Sequence, residues 1–244
     1  MEEGLIPYVS VDCVIFGFDF EKLNVLLIER KVDIEGTVFR DMKLPGDLIR
    51  YDEDIDASAS RVLFELTGMK NIYLEQFYTF GSVNRIKEKT RDIIWLHSID
   101  HPEERVITIA YYSLVKIESR EISEAKIVNN ASWHAITEIT ELAFDHREII
   151  DKALEALRNK LRTQPIGFEL LPVKFTIGQL QKLYEVIFGT RLDKRNFRKR
   201  IASIPYIVSL NEKQKGVAHK PAQLYKFDKK KYSRSKTEDL YFSV

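Results

Sequence analysis

Cysteine is nearly absent from this sequence, and long apolar runs are absent altogether. The 244 residues include one cysteine, Cys13, which has no partner for a disulfide within the chain, so we expect a reducing compartment. No stretch approaches the roughly 18 consecutive apolar residues of a membrane span, and the first ten residues, MEEGLIPYVS, are acidic where a signal peptide would be basic. We therefore expect a soluble cytoplasmic protein with no membrane partner, in which Cys13 is a buried strand residue.

The net charge is also small, at +1, but its two signs are unevenly distributed. Residues 1–150 contain 17 Lys and Arg against 28 Asp and Glu, a net charge of −11, whereas residues 174–236 contain 17 against 4, a net charge of +13. A basic block after an acidic part indicates a polyanionic partner for the block alone. A solvated basic face would give the same charge pattern, so both interpretations stay open on charge alone.

Hydrophobic patterning divides the chain into two domains, since about 100 to 200 residues per domain is usual. The first part contains four strand-like segments, VDCVIFGF, LNVLLIER, IYLEQFYTFG and VITIAYYSLV, and two helical ones, IDASASRVLFELTG and FDHREIIDKALEALRNKLRT. The segment QPIGFELLP carries two of the seven prolines and marks the junction. We predict an α+β domain with a mixed sheet at residues 1–162 and a second domain at residues 163–244.

The second domain begins with two helices. Thr176 can cap a first helix that ends at Gly189, and Asp193 can cap a second, KRNFRKRIASI. Two strands around a polar turn follow, and then a basic tail, KKKYSRSK. This order of elements is that of a winged helix-turn-helix.

The second of these helices has an apolar stripe of Phe197, Ile201 and Ile204, which predicts cations on its opposite side. We expect this helix to enter the DNA major groove and the strand pair to form a wing that meets phosphates or the minor groove. The predicted DNA-binding residues are Lys194, Arg195, Arg198, Lys199, Lys213, Lys215, His219 and Lys220. Docking of the helical pair onto an acidic protein is the alternative.

The segment LPGDLIRYDEDIDASASRVLFELTGM, residues 44–69, resembles the Nudix box. That box reads Gly, five residues, Glu, seven residues, then Arg-Glu-U-X-Glu-Glu-X-Gly-U, with U an aliphatic residue. Alignment on Arg61 and Gly68 places Glu53 at the upstream Glu, and Leu63 and Met69 at the two aliphatic positions. An ordinary amphipathic helix without an ancestral site is the alternative interpretation.

The departures from the box affect its metal ligands. Asp47 stands at the first Gly, and Val62 and Leu66 replace two of the three helix glutamates, which leaves Glu65. One carboxylate supplies too little charge to hold a catalytic cluster of divalent cations. We therefore expect no catalytic residues, no metal and no cofactor. A working Nudix hydrolase, active with Mg²⁺ or Mn²⁺, is the competing hypothesis.

A degenerate Nudix box before a basic winged helix resembles the Nudix-related transcriptional regulators. The similarity runs through LPGDL, ELTGM, FDHREII, KFTIGQLQKLYEVIFG, LDKRNFRKRI and HKPAQLYKF, and it looks closest to the AraR-type branch, whose effector is L-arabinose. The resemblance implies a Nudix-like α/β/α sandwich and a homodimeric repressor that a small effector releases from operator DNA. The alternative is the NrtR branch, which senses ADP-ribose.

The predicted effector-binding residues are polar side chains of the former catalytic loop and helix, namely Arg40, Lys43, Asp47, Arg61 and Glu65. These side chains can donate hydrogen bonds to sugar hydroxyls and accept hydrogen bonds from them, which suits a pentose. In the absence of a metal, the negative charges of Glu65 and Asp47 would repel a pyrophosphate. Surface or salt-bridge positions would explain the same residues equally well. His134 and His146 are interpreted as structural.

Overall fold

The computed structural model describes residues 4–85, 94, 104–117, 130–164, 166–218 and 220–235. The chain divides into two compact units, one formed by Met1–Gly17 and Asn24–Ala156 and the other by Phe18–Leu23 and Leu157–Val244. The division falls inside one helix, His146–Thr163, so the domain boundary at residue 162 stays a prediction. Within the described residues, no helix is long and apolar enough to cross a membrane.

Within the described residues, the first unit contains a seven-stranded sheet, formed by β1 Leu5–Phe18, β2 Leu23–Ile34, β3 Thr37–Lys43, β4 Gly46–Arg50, β5 Glu75–Phe80, β6 Ile107–Lys116 and β7 Ala131–Ala135. Its main path runs β3-β2-β1-β6-β5, while β4 pairs with β1 and β7 pairs with β2. The pairs β1–β4, β2–β3, β2–β7 and β5–β6 are antiparallel.

The core of this unit lies between the sheet and helix α1, Ile55–Thr67. Strand β1 is buried continuously from Val11 to Phe18, because it lies inside the sheet with both faces covered. Cys13 is buried there, as predicted. Gly68 ends α1 with a left-handed φ of 74°, a conformation that glycine adopts without steric cost.

Helix α2, His146–Thr163, leads into the second unit, whose described elements are β8 Phe175–Thr176, α3 Ile177–Phe188, α4 Lys194–Ala202, β9 Ile207–Lys213, β10 Gln223–Phe227 and α5 Lys229–Ser235. The three strands form a sheet in the order β8-β10-β9. The predicted caps are confirmed: the Thr176 hydroxyl accepts from Gln179 N at 3.1 Å, and the Asp193 carboxylate accepts from Asn196 N at 2.8 Å. The predicted fold, an α+β domain followed by a winged helix, is confirmed.

The two-residue strand β8, which pairs with β10, was not predicted from the sequence, and neither were helix α5 and the strands β3, β4 and β7 of the first sheet. The strands are short and carry polar residues, as in TVFRDMK and GDLIR, so their pairing with β1 and β2 defines them more than their own pattern does. Helix α5 extends through the basic tail to Ser235. Its start is fixed by Asp228, whose carboxylate accepts from Lys230 N and Lys231 N at 3.1 Å each.

Candidate functional site

The box residues Arg61 and Glu53 form a two-pronged ion pair. Arg61 donates from Nε to Glu53 Oε2 at 2.8 Å and from Nη2 to Glu53 Oε1 at 2.6 Å. Nη2 also donates to the carbonyl oxygen of Leu48 at 3.1 Å, which ties α1 to β4. Hydrogen bonds from Arg61 lower the pKa of the Glu53 carboxyl from 4.5 to about 2. Both side chains therefore stay charged at neutral pH and form an ion pair with each other.

Glu65, the remaining helix carboxylate of the box, lies between two arginines. Arg61 Nη1 donates to Glu65 Oε2 at 2.9 Å, and Arg50 Nη2 donates to Glu65 Oε1 at 3.1 Å. The Arg61 side chain is 15% exposed, whereas those of Arg50 and Glu65 are 47% and 41% exposed. Arg50 was not predicted as a site residue. The signal that could have found it is the alternation of arginine and glutamate along the box, in the order Arg50, Glu53, Arg61 and Glu65.

The apolar replacements in the box are part of the core. Val62 is 1% exposed and belongs to the cluster that contains Cys13 and Ile15, and Leu66 packs against the same cluster. A divalent cation of the Mg²⁺ or Ca²⁺ kind needs several oxygen ligands around it. Among the residues that the structure describes, no group of three or more His, Cys, Asp and Glu side chains could hold a metal ion. Val62 and Leu66 therefore supply no oxygen ligand at two positions where the Nudix box has glutamates.

The other predicted effector residues occupy separate surroundings. Lys43 donates from Nζ to the carbonyl oxygen of Gly46 at 2.8 Å, and burial lowers the pKa of its ammonium group against the opposing effect of Asp12 and Asp47. Asp47 is exposed and accepts from Leu48 N at 2.8 Å. Arg40 is 54% exposed and pairs with Glu29 across strands β2 and β3 at 3.1 Å. The structure thus joins Arg61 to Glu65, and places Arg40 in an ion pair of its own.

A buried polar cluster lies beneath the start of β4, and the sequence reasoning missed it. Asp12 accepts from Thr108 Oγ1 at 2.7 Å, and burial raises the pKa of its carboxyl against the effect of the nearby Arg85. Arg85 donates to both carboxylate oxygens of Asp145, at 2.5 and 2.9 Å. Asp12, a carboxylate within an apolar strand, is the sequence signal for such a cluster, because buried charges are paired.

His146 joins this cluster as a structural residue. Its Nδ1 accepts from Leu44 N at 2.9 Å, so the ring proton resides on Nε2, which lies 3.4 Å from Asp12 Oδ1. Leu44 precedes β4, and His146 begins α2. The histidine therefore connects the box segment to the helix that leads out of the first unit.

Helix α4 buries one side and exposes cations on the rest of its surface. Phe197 and Ile201 are buried, and the Phe197 ring lies 5.9 Å from that of Tyr184 in α3. The predicted DNA-binding residues of this helix, Lys194, Arg195, Arg198 and Lys199, are all exposed. Lys213, Lys215 and Lys220 are exposed on the β9–β10 segment, and His219 lies outside the described residues.

Comparisons with known proteins agree with this arrangement. The NUDIX domain family matches residues 7–154, and the NrtR DNA-binding winged helix domain matches residues 167–227. A protein of Acinetobacter baylyi, named ADPR responsive transcriptional repressor NtrR, is 29% identical over 225 residues, which cover 91% of this chain and 82% of that protein.

Solved structures resemble the chain along most of its length. NrtR of Shewanella oneidensis complexed with a 27mer DNA has a TM-score of 0.69 and 25% identity, and the same protein alone has 0.66 and 26%; each comparison covers 91% of this chain and 94% of the other. A MutT/nudix family protein of Enterococcus faecalis, at 22% identity, has a TM-score of 0.63 over 93% of this chain and 89% of its own, and shares the fold.

These similarities support the expected kinship with Nudix-related regulators, but they favour the NrtR alternative over the L-arabinose branch. The chain belongs to the NUDIX domain family, and its Nudix domain is followed by a DNA-binding winged helix domain of the NrtR type.

Proposed function

We propose that this protein is a transcriptional repressor that binds operator DNA through its winged helix and ADP-ribose through its Nudix domain. The observation that carries the proposal is the surface of α4, where Phe197 and Ile201 are buried and the cations between and before them are exposed. A helix of this kind, preceded by another helix, suits insertion into the major groove. The relative from Acinetobacter baylyi supports ADP-ribose as the effector, since it is named ADPR responsive.

The charges of the box are compatible with an anionic effector. Two glutamates, Glu53 and Glu65, are matched by two arginines, Arg50 and Arg61, at hydrogen-bonding distance. At these four side chains, a diphosphate would therefore meet balanced charges and not unpaired carboxylates. This weakens the electrostatic reason for preferring a pentose over ADP-ribose as far as Glu65 is concerned, while Asp47 stays exposed.

We propose further that the protein does not hydrolyse its effector. Val62 and Leu66 provide no oxygen at two positions where the Nudix box has glutamates, and both pack with the core. Hydrolysis of a diphosphate linkage needs cations to stabilise the charge that develops on the phosphates. Phosphate or AMP release from ADP-ribose with Mg²⁺ or Mn²⁺ would contradict this part of the proposal.

Effector binding is proposed to release the protein, as a homodimer, from its operator. ADP-ribose must then bind the state that is incompetent for DNA more tightly than the competent state; a tenfold loss of operator affinity needs about 1.4 kcal/mol of coupling. A homodimer would contact two half-sites about one helical turn apart. Light scattering in solution tests the dimer separately from DNA binding.

The test is a fluorescence-anisotropy titration of the full chain on a duplex from its own upstream region, with and without ADP-ribose or L-arabinose. We expect saturable binding that ADP-ribose weakens and L-arabinose leaves unchanged. Arg198→Ala should reduce binding, whereas Lys152→Ala, which removes an exposed cation from the other unit, should not. Binding no tighter than to random duplex would refute the proposal, and a response to L-arabinose alone would restore the pentose assignment.

A further inference from the structure

The glutamates of the box do not suit a diphosphate site that depends on metal ions, because both are already bound by arginines. Glu53 is engaged by Arg61 and by the backbone N–H of Arg50, which lies 2.9 Å from its Oε1. Glu65 is engaged by Arg50 and Arg61. Both glutamates of the box are thus already neutralised by a guanidinium.

We propose that Arg50 takes the place of the divalent cation and binds the diphosphate of the effector directly, by exchanging its bond with Glu65 for bonds with phosphate oxygens. This inference rests on the proposed function, because it assumes a diphosphate ligand. It predicts effector binding that needs no metal. It also assigns Glu65 a new role, as the internal competitor of the ligand.

The two arginines differ in their freedom to make this exchange. Arg61 donates from Nε and both terminal nitrogens, to Glu53, Glu65 and Leu48, and its side chain is 15% exposed. Arg61 is therefore a fixed part of the structure. Arg50 donates from Nη2 to Glu65 at 3.1 Å, and 47% of its side chain is exposed. Arg50 is the guanidinium that solvent, and hence a ligand, can reach.

The energetic cost of the exchange is small, because an ion pair between two half-exposed side chains contributes little to stability. The guanidinium also suits the ligand, since its planar fork of N–H donors matches two oxygens of a phosphate. The backbone of Arg50 stays in place meanwhile, because β4 pairs Arg50 with Leu5 of β1 and its N–H is bonded to Glu53. Only the side chain has to turn.

Two variants make predictions of opposite sign. Arg50→Ala removes the proposed diphosphate ligand and should weaken ADP-ribose binding about tenfold or more. Glu65→Gln removes the competing carboxylate and should strengthen binding several-fold, while Arg61 keeps its two bonds to Glu53. If Glu65 were instead a metal ligand, Glu65→Gln would weaken binding.

The experiment is isothermal titration of the full chain with ADP-ribose, once in EDTA and once in Mg²⁺. We expect the same affinity in both buffers for the wild type. Lys152→Ala is the matched control, since it removes an exposed, ion-paired cation of the same unit, and its affinity should equal that of the wild type. Arg50→Lys retains the positive charge but lacks the planar guanidinium, so it should give an affinity between those of the wild type and Arg50→Ala. This second variant keeps the test informative if Arg50→Ala fails to fold.

The outcomes separate this inference from the function on which it rests. If the wild type bound ADP-ribose in neither buffer, the proposed effector would be wrong. Binding only in Mg²⁺, or weakened by Glu65→Gln, would overturn the role of Arg50 and leave the effector assignment intact. Wild-type affinity in both Arg50 variants would likewise overturn it.

Discussion

Replacement of Gly46 by alanine is predicted to destabilise the Nudix unit, because the added Cβ would clash with strand β1. Gly46 begins β4 opposite Asp12 of β1, and an added Cβ would lie 1.9 Å from Asp12 Oδ1 and 2.9 Å from the carbonyl oxygen of Val11. Asp12 cannot withdraw freely, because it is 5% exposed and accepts from Thr108. Overpacking costs about 1 to 3 kcal/mol, and disruption of a buried hydrogen bond costs about 1 to 3 more. We therefore expect a loss of about 2 to 6 kcal/mol of unfolding free energy.

Urea unfolding followed by tryptophan fluorescence measures this loss in the relevant unit. Both tryptophans of the sequence, Trp95 and Trp133, fall within residues 7–154, the part that matches the NUDIX domain family. Gly81→Ala is the control, since a Cβ there would meet Ile107 at the ordinary distance of 3.7 Å; such a change stabilises a protein by about 0.4 to 1 kcal/mol where the backbone tolerates alanine. Equal unfolding midpoints for the two variants would refute the steric reasoning.

Three further outcomes are expected. Arg198→Ala should cost roughly 1 to 3 kcal/mol in operator affinity and relax the preference at one base pair. Lys230→Ala should lower affinity by the same factor for operator and random duplex. Equal losses on the two duplexes for alanine variants of Arg195, Arg198 and Lys199 would show that helix α4 binds phosphates without reading bases. Operator affinity should fall steeply with salt concentration, with a log–log slope of about −0.9 per phosphate neutralised, and a flat dependence would argue against this interface. The pKa of Glu53 is lowered from 4.5 to about 2, so its contribution to stability is present above about pH 4.5 and is lost as the pH falls towards 2. The difference in urea midpoint between the wild type and Glu53→Gln should therefore shrink over that pH range. A difference that stays constant would contradict the ion pair.

The parts of the fold that were predictable from the sequence are those set by local chemistry. Gly68 and Gly189 end their helices with left-handed φ values of 74° and 69°, and Thr176 and Asp193 begin theirs with side-chain caps. Each of these signals acts within about one helical turn, so it can be recognised from neighbouring residues in the sequence. The strands β3 and β4 lack such signals, because partners elsewhere in the chain determine their pairing.

The candidate site was less predictable because its contacts are distant in sequence. Thr108 is 96 residues from Asp12, and Arg85 is 60 residues from Asp145. No spacing rule connects such residues. The box itself was recognisable because its residues share one helix and one loop, yet the role of Arg50 depends on the fold of β4 against α1, which brings its guanidinium to Glu65.

The same distinction explains why the sequence favoured a pentose. Counting the acidic residues near the box leads to repulsion of a pyrophosphate, because Glu65 and Asp47 remain when two glutamates are lost. Electrostatic energy depends on the distance to opposite charges as well as on the number of like charges. In the structure, Arg61 and Arg50 lie 2.9 and 3.1 Å from the oxygens of Glu65, and Lys43 is close enough to Asp47 for that carboxylate to raise its pKa. With these pairs in place, a diphosphate need only compete with Glu65 for Arg50, and the loss of the metal ligands no longer excludes an anionic effector.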